Sequence, residues 1–231
     1  MHPEPQTTYL HVELVHPPKN YRDKRVFDKV NLEIGEFAPV YSQLQVLEGG
    51  TGARLTGRAQ ETRYLCEFRQ DRLLVSEENP RSALADFDQN VLKIVNLSLK
   101  TLQVQFFIAQ TSVVRCVFIP SNFTDARVFL GERMCSLKGE ISTLAKAGPI
   151  HIFGLRFVFP ATPQRPLAHN VRIESLAGDP RKIWVENVAP FASRPITPAD
   201  LSVISENIGE TSRFVEEDIF NFLAQFDTKK D

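Results

Sequence analysis

The chain has 231 residues, 42% hydrophobic and 24% charged, with a formal net charge of −1 and a pI near 6.5. At that length a globular fold hides roughly 70 to 75% of the unfolded surface. The balanced charge argues against a nucleic-acid partner held by phosphate neutralisation, which needs a surplus of Lys and Arg.

No stretch approaches the roughly 18 uninterrupted apolar residues of a membrane span, and the opening MHPEPQTTYLHVEL lacks a basic segment followed by an apolar run. The expectation is a soluble, cytoplasmic protein with no membrane attachment. Cys66, Cys116 and Cys135, odd in number and without metal-ligand spacing, fit reduced thiols. On that reading the sequons at Asn96 and Asn122 carry no glycan.

Tyr9 to His16 alternates Leu10, Val12 and Leu14 with His11 and Glu13, the period of a half-buried strand. PKNYRDKRVF, Pro18 to Phe27, then predicts a helix start with Asn20 as N-cap and Asp23 three positions on, as in a capping box. Val26, Phe27 and Val30 supply its apolar stripe, and Gly35 is placed at its end. Strands are predicted over 40–47, 54–68 and 73–77, with GGTG at Gly49 to Gly52 and Gln70-Asp71 as turns. Asn79-Pro80 predicts the start of a helix along which Leu84, Phe87, Val91, Ile94, Val95 and Leu102 recur at spacings of three and four.

Residues 104–108 and 113–119 predict one strand or two, and PSNFTDARVF, Pro120 to Phe129, opens another helix with Asn122 as cap and Asp125 three positions later. IHIFGLRFVF, Ile150 to Phe159, is apolar on both alternating faces except for His151 and Arg156, which predicts a central strand covered on both sides. Residues 171–175 and 182–188 form a hairpin around Gly178-Asp179-Pro180-Arg181. Thr197-Pro198-Ala199-Asp200 starts a last helix running to about Phe226. Its apolar sector is too broad for one seam, so it lies deep in the core or meets another chain through Phe220, Phe222 and Phe226.

The two decamers share six of ten residues, and each follows a strand-like run. Ala38-Pro39-Val40 and Gly148-Pro149-Ile150 open comparable apolar stretches after them, given an insertion of about eight residues near Ser142 to Ala147, where a loop tolerates extra length. Pro80 and Pro190 keep the same offset. The expected fold is α+β, an internal duplication of a strand-helix-(three or four antiparallel strands)-helix unit with helices on one face of antiparallel sheet. Residues 1–102 and 103–231 are the two repeats, as separate units or one continuous domain. That element order resembles the duplicated saddle of the TATA-binding proteins and, with one copy and a long closing helix, the helix-grip folds. The resemblance is of element order alone and carries no function.

No catalytic, metal or cofactor constellation emerges. His2, His11, His16, His151 and His169 are scattered without zinc-site spacing. Cys66 and Cys116 read as small buried hydrophobes, and GGTG lacks the Lys and Ser/Thr of a phosphate-binding loop. The one positive signal is Trp184. If Ile183 and Val185 face the helices, the ring stands on the opposite face between Lys182 and Glu186, with Arg172 and Glu174 across the hairpin, the composition of a binding hot spot. The alternative is that Trp184 fills the core. The leading expectation is a non-enzymatic interaction module that uses a curved sheet surface for a protein partner or a second copy. Alternatives are a binder of small apolar ligands with a pocket between the sheet and the last helix, and an enzyme.

Overall fold

The structure, a computed structural model, describes residues 6–228 except 22, 138, 139, 141, 142, 144, 145, 147, 149 and 193. The alternation in the first segment is realised as β1 (Gln6–Val15), with Leu10, Val12 and Leu14 at 3% exposure or less. Eight further strands follow: β2 (Tyr41–Val46), β3 (Gly52–Ala59), β4 (Thr62–Arg69), β5 (Arg72–Glu78), β6 (Ala109–Phe118), β7 (Gly154–Phe159), β8 (His169–Leu176) and β9 (Asp179–Phe191). They make one antiparallel sheet in the order β2-β3-β4-β5-β1-β6-β9-β8-β7. The expected boundary near residue 102 precedes β6, and β1 pairs with β6 across it, so one sheet runs through both halves.

Among the described residues, the helices that cover the sheet lie on one face. α1 (Arg25–Phe37) buries Phe27, Val30 and Ile34 at helical spacing, and α2 (Leu84–Lys100) buries Phe87, Val91, Ile94 and Val95. α3 (Ala126–Val128) continues as a π-helical stretch, Phe129–Met134. α4 (Ser202–Arg213) passes through a second π-helical stretch, Phe214–Ile219, into α5 (Phe220–Ala224). Each fully buried Phe or Leu on these faces contributes on the order of 1.5–3 kcal/mol relative to exposure.

Several expectations are corrected. Asp23 and Asp125, not Asn20 and Asn122, serve the helix starts, since their carboxylates accept from Arg25 N–H at 3.0 Å and Arg127 N–H at 2.8 Å. Asn122 instead donates its side-chain amide to Asp227. α1 runs through Gly35 to Phe37; Gly35 is on its solvent side, where a Cβ would meet nothing. α2 begins at Leu84 rather than Pro80, because Asn79 turns the chain at φ 51° and the Asp86 carboxylate accepts from Ala83 N–H. The predicted run 54–68 is two strands, reversing at Gln60 with φ 55°. Gly57 fits where nothing larger would, as a Cβ there would stand 1.8 Å from the Val40 carbonyl oxygen.

The largest correction concerns the segment placed centrally. β7 is an edge strand, at the end of the sheet opposite β2. Leu155, Phe157 and Phe159 face the helices, where Phe157 meets Phe222 and Phe159 meets Phe214. The other parity is open, with Val158 at 61% exposure. The insertion expected near 142–147 and His2 fall largely or wholly outside the described residues. Among the described residues no helix is long and apolar enough to cross a membrane.

Candidate interaction surface

Among the described residues no helix covers the second face of the sheet. Parity decides what stands there: the helix-facing residues of the strands are mostly buried and apolar, so their neighbours point the other way. Strand register then aligns those neighbours in rows. Arg58 is opposite Arg63, Arg63 opposite Glu78, Glu78 opposite Tyr9, and Tyr9 opposite Arg115. The line continues from Arg115 to Glu186, Arg172 and Arg156. It crosses eight strands from β3 to β7 with five arginines against two glutamates.

The carboxylates of this row are engaged. Glu186, at 6% exposure, accepts from Arg115 Nε at 2.7 Å and lies 3.7 Å from Arg172. Glu78 accepts from Arg63 at 3.3 Å. Arg58 donates to the Gln60 carbonyl, and Arg156 is exposed without an ion pair among the described residues. On the same face Arg54 and Arg69 both bond Glu67, a carboxylate almost wholly covered. Burial pushes that carboxyl up, but the two guanidinium bonds outweigh it and hold it below the usual range.

The neighbouring row is neutral: Thr56, Leu65, Ser76, His11, Val113, Val188, Asn170 and Val158. His11 belongs in it because burial, and then the Arg115 charge, pull its pKa down to about 4, so it is uncharged near neutrality. Over β2 to β5 and β1 the face dips into a hollow of ≈ 610 Å³ lined by Tyr9, Gln43, Arg54, Thr56, Arg63 and Leu65 among others.

Lowered pKa values carry a stability consequence. His11 binds a proton near pH 6.5 when unfolded and only near pH 4 when folded, so its share of stability is complete above 6.5 and is lost as pH falls toward 4. Burial lowers His16 and His169 in the same direction. His11→Gln is therefore expected to remove part of the decline, about 1 kcal/mol between pH 6.5 and 5.5, in urea unfolding curves of the two proteins; equal declines would remove the assignment.

Each residue singled out in the sequence has a definite place. Trp184 is half-buried on the helix-free face, opposite Glu174, and Ile183 and Val185 face the helices at 0% exposure. Arg172 lies 5.2 Å and Arg115 5.7 Å from its ring centre, and Arg115 also covers Tyr9 at 4.4 Å. Lys182 pairs with Asp179, and Arg172 with both Glu174 and Glu186. The structure thus brings Trp184, Arg172, Glu174 and Glu186 together. Phe220 is buried, stacked on Phe118 at 5.6 Å, and Phe222 and Phe226 are half-buried with their rings 5.3 Å apart. Ring contacts therefore occupy the space beneath the last helix.

Sequence reasoning missed a buried polar chain under α4. Asn207 donates to Gln110 at 2.8 Å, Gln110 donates to Ser112, and Asn187 bonds His169 at 3.0 Å and the Thr211 carbonyl. His169 lies flat on Phe214, ring centres 3.9 Å apart. The signal was available in β6, where Gln110 and Ser112 take the inward parity of Val114 and Cys116. Burial pushes the Cys116 thiol up to about 11 and raises Cys66 well above its ordinary range, so both remain protonated. Among the described residues no three His, Cys, Asp or Glu side chains converge as metal ligands would. No family model matches the chain, and no curated protein matches its sequence.

Proposed function

We propose that the protein is a non-enzymatic interaction module that binds a protein partner across the helix-free face of its sheet. The observation that carries this reading is the arginine row: a chain of net charge −1 concentrates five arginines along one line of its uncovered face. Tyr9 within the row and Trp184 beside it are large rings held by guanidinium groups, the rigid contact area that a hot spot needs.

We read the two halves as copies of one unit, each supplying half of a saddle-like surface. Four observations support this. The decamers match in sequence. His11 and Val113, the residues 102 positions apart that face each other at the β1–β6 seam, have the spacing that separates Pro18 from Pro120. Asp23 and Arg25 make the same bonds as Asp125 and Arg127. Tyr21 meets Phe27 edge-on at 5.0 Å as Phe123 meets Phe129 at 5.2 Å.

The test is site-specific photo-cross-linking in extract of the source cells. A benzophenone amino acid at Thr56 or Val113, on the sheet face, is expected to capture a partner. The same group at Leu32, 71% exposed on α1, is expected to capture none. Adducts from Leu32 alone, or from no position, would overturn the reading.

A further inference from the structure

The geometry points to an extended, acidic polypeptide segment as what the partner presents, laid across the strands along the arginine row. This rests on the helix-free face being the binding surface. Seven steps of about 4.8 Å between strands make the row about 34 Å long, the reach of roughly ten extended residues. Both glutamates of the row are already held by its own arginines, so the remaining charge is positive and spread along the line. Its two ends are the least committed groups: Arg58 is exposed with only the Gln60 carbonyl as partner, and Arg156 is exposed without an ion pair among the described residues. A guanidinium offers a carboxylate two parallel donors, a geometry that favours acidic side chains over a diffuse negative field.

The neutral row alongside sets the second half of the pattern. Leu65, Val113, Val188 and Val158 offer apolar contact two residues along each strand from the arginine row, on the same face. A chain with acidic groups toward the arginines and apolar groups toward these residues is complementary to both lines. A single-stranded nucleic acid fits less well. Arg115 and Arg172 already lie over the Trp184 ring and Arg115 over Tyr9, so a base that stacked on those faces would have to displace them.

The only tryptophan of the chain reports on the site directly. Titration with oligoglutamate of about ten residues at low salt is expected to change Trp184 emission saturably, and about 0.3 M salt to weaken binding roughly tenfold through screening. An oligomer of about four residues, too short to span the row, binds about tenfold more weakly. The double variant Arg58→Ser, Arg156→Ser changes two exposed ends, is expected to melt as the wild type does, and loses the advantage of the longer oligomer. Absence of a saturable response, equal affinity for both lengths, or tighter binding of oligothymidylate would each overturn the acidic-segment assignment. If that happens while cross-links still form from Thr56 and Val113, the sheet-face reading stands and only the chemistry of the partner falls.

Discussion

Phe129→Ala is expected to lower the free energy of unfolding by about 3–5 kcal/mol. Phe129 is at 0% exposure, edge-on to Phe123 at 5.2 Å and tilted against Phe118 at 6.2 Å, and Phe118 in turn stacks on Phe220. Truncation removes the middle of a run of rings that ties α3 to β6 and α5. The void lies among rings anchored on a strand and on helical segments, so the cavity cost adds to the lost transfer energy. Urea unfolding measures the change, and Phe129→Leu, which keeps much of the volume, is expected to lose less than about 1.5 kcal/mol. A loss below that figure for the alanine variant would mean that the ring run is not continuous. If the halves are copies, Phe27→Ala at the equivalent position costs a similar amount; widely different costs would count against equivalence.

Asp227→Ala is expected to cost about 2–3 kcal/mol. Its carboxylate, at 5% exposure, accepts from the backbone N–H of Ser121 at 2.6 Å and of Asn122 at 2.9 Å, and its carbonyl accepts from the Asn122 amide at 2.8 Å. Arg133 reaches the neighbouring Phe226 carbonyl. One residue thus fastens the end of the last helix to the second decamer. Alanine leaves two part-buried donors without an acceptor, which costs more than the bonds are worth in exchange with water. Thermal melting should fall by about 5–10 °C, and Asp227→Asn, which keeps one acceptor oxygen, should recover about half. An unchanged midpoint for the alanine variant would show that water replaces the carboxylate.

Local patterns of the fold were legible in the sequence wherever one element carried its own signal. Leu10, Val12 and Leu14 announced β1, and the spacing of Phe87, Val91, Ile94 and Val95 announced α2, whereas the alternation around Trp184 left both faces open to it until Ile183 and Val185 were placed under the helices. Signals that depend on neighbours were misread. IHIFGLRFVF looked central because apolar residues occupy both parities, yet only Leu155, Phe157 and Phe159 have helices to cover them; a sequence does not say which side of a strand has a neighbour. Asn20 and Asn122 sit where an N-cap was expected, but the carboxylates of Asp23 and Asp125 lie two residues before the N–H groups they bond. The arginine row lay beyond reach for a simpler reason. Its members are scattered from residue 9 to residue 186, and only the register of eight strands puts them in line.

The seam between β1 and β6 also dictates how the molecule is made. While the chain leaves the ribosome, residues 6–100 supply their own sheet but leave β1 with one row of backbone N–H and C=O groups unpaired. That raw border is closed only when Ala109–Phe118 emerges and docks, so the newborn first half is open to pairing with a neighbouring chain until then. Pausing of synthesis between α2 and β6 would prolong that vulnerable interval, and a nascent partner on the same message would be the nearest strand to meet it.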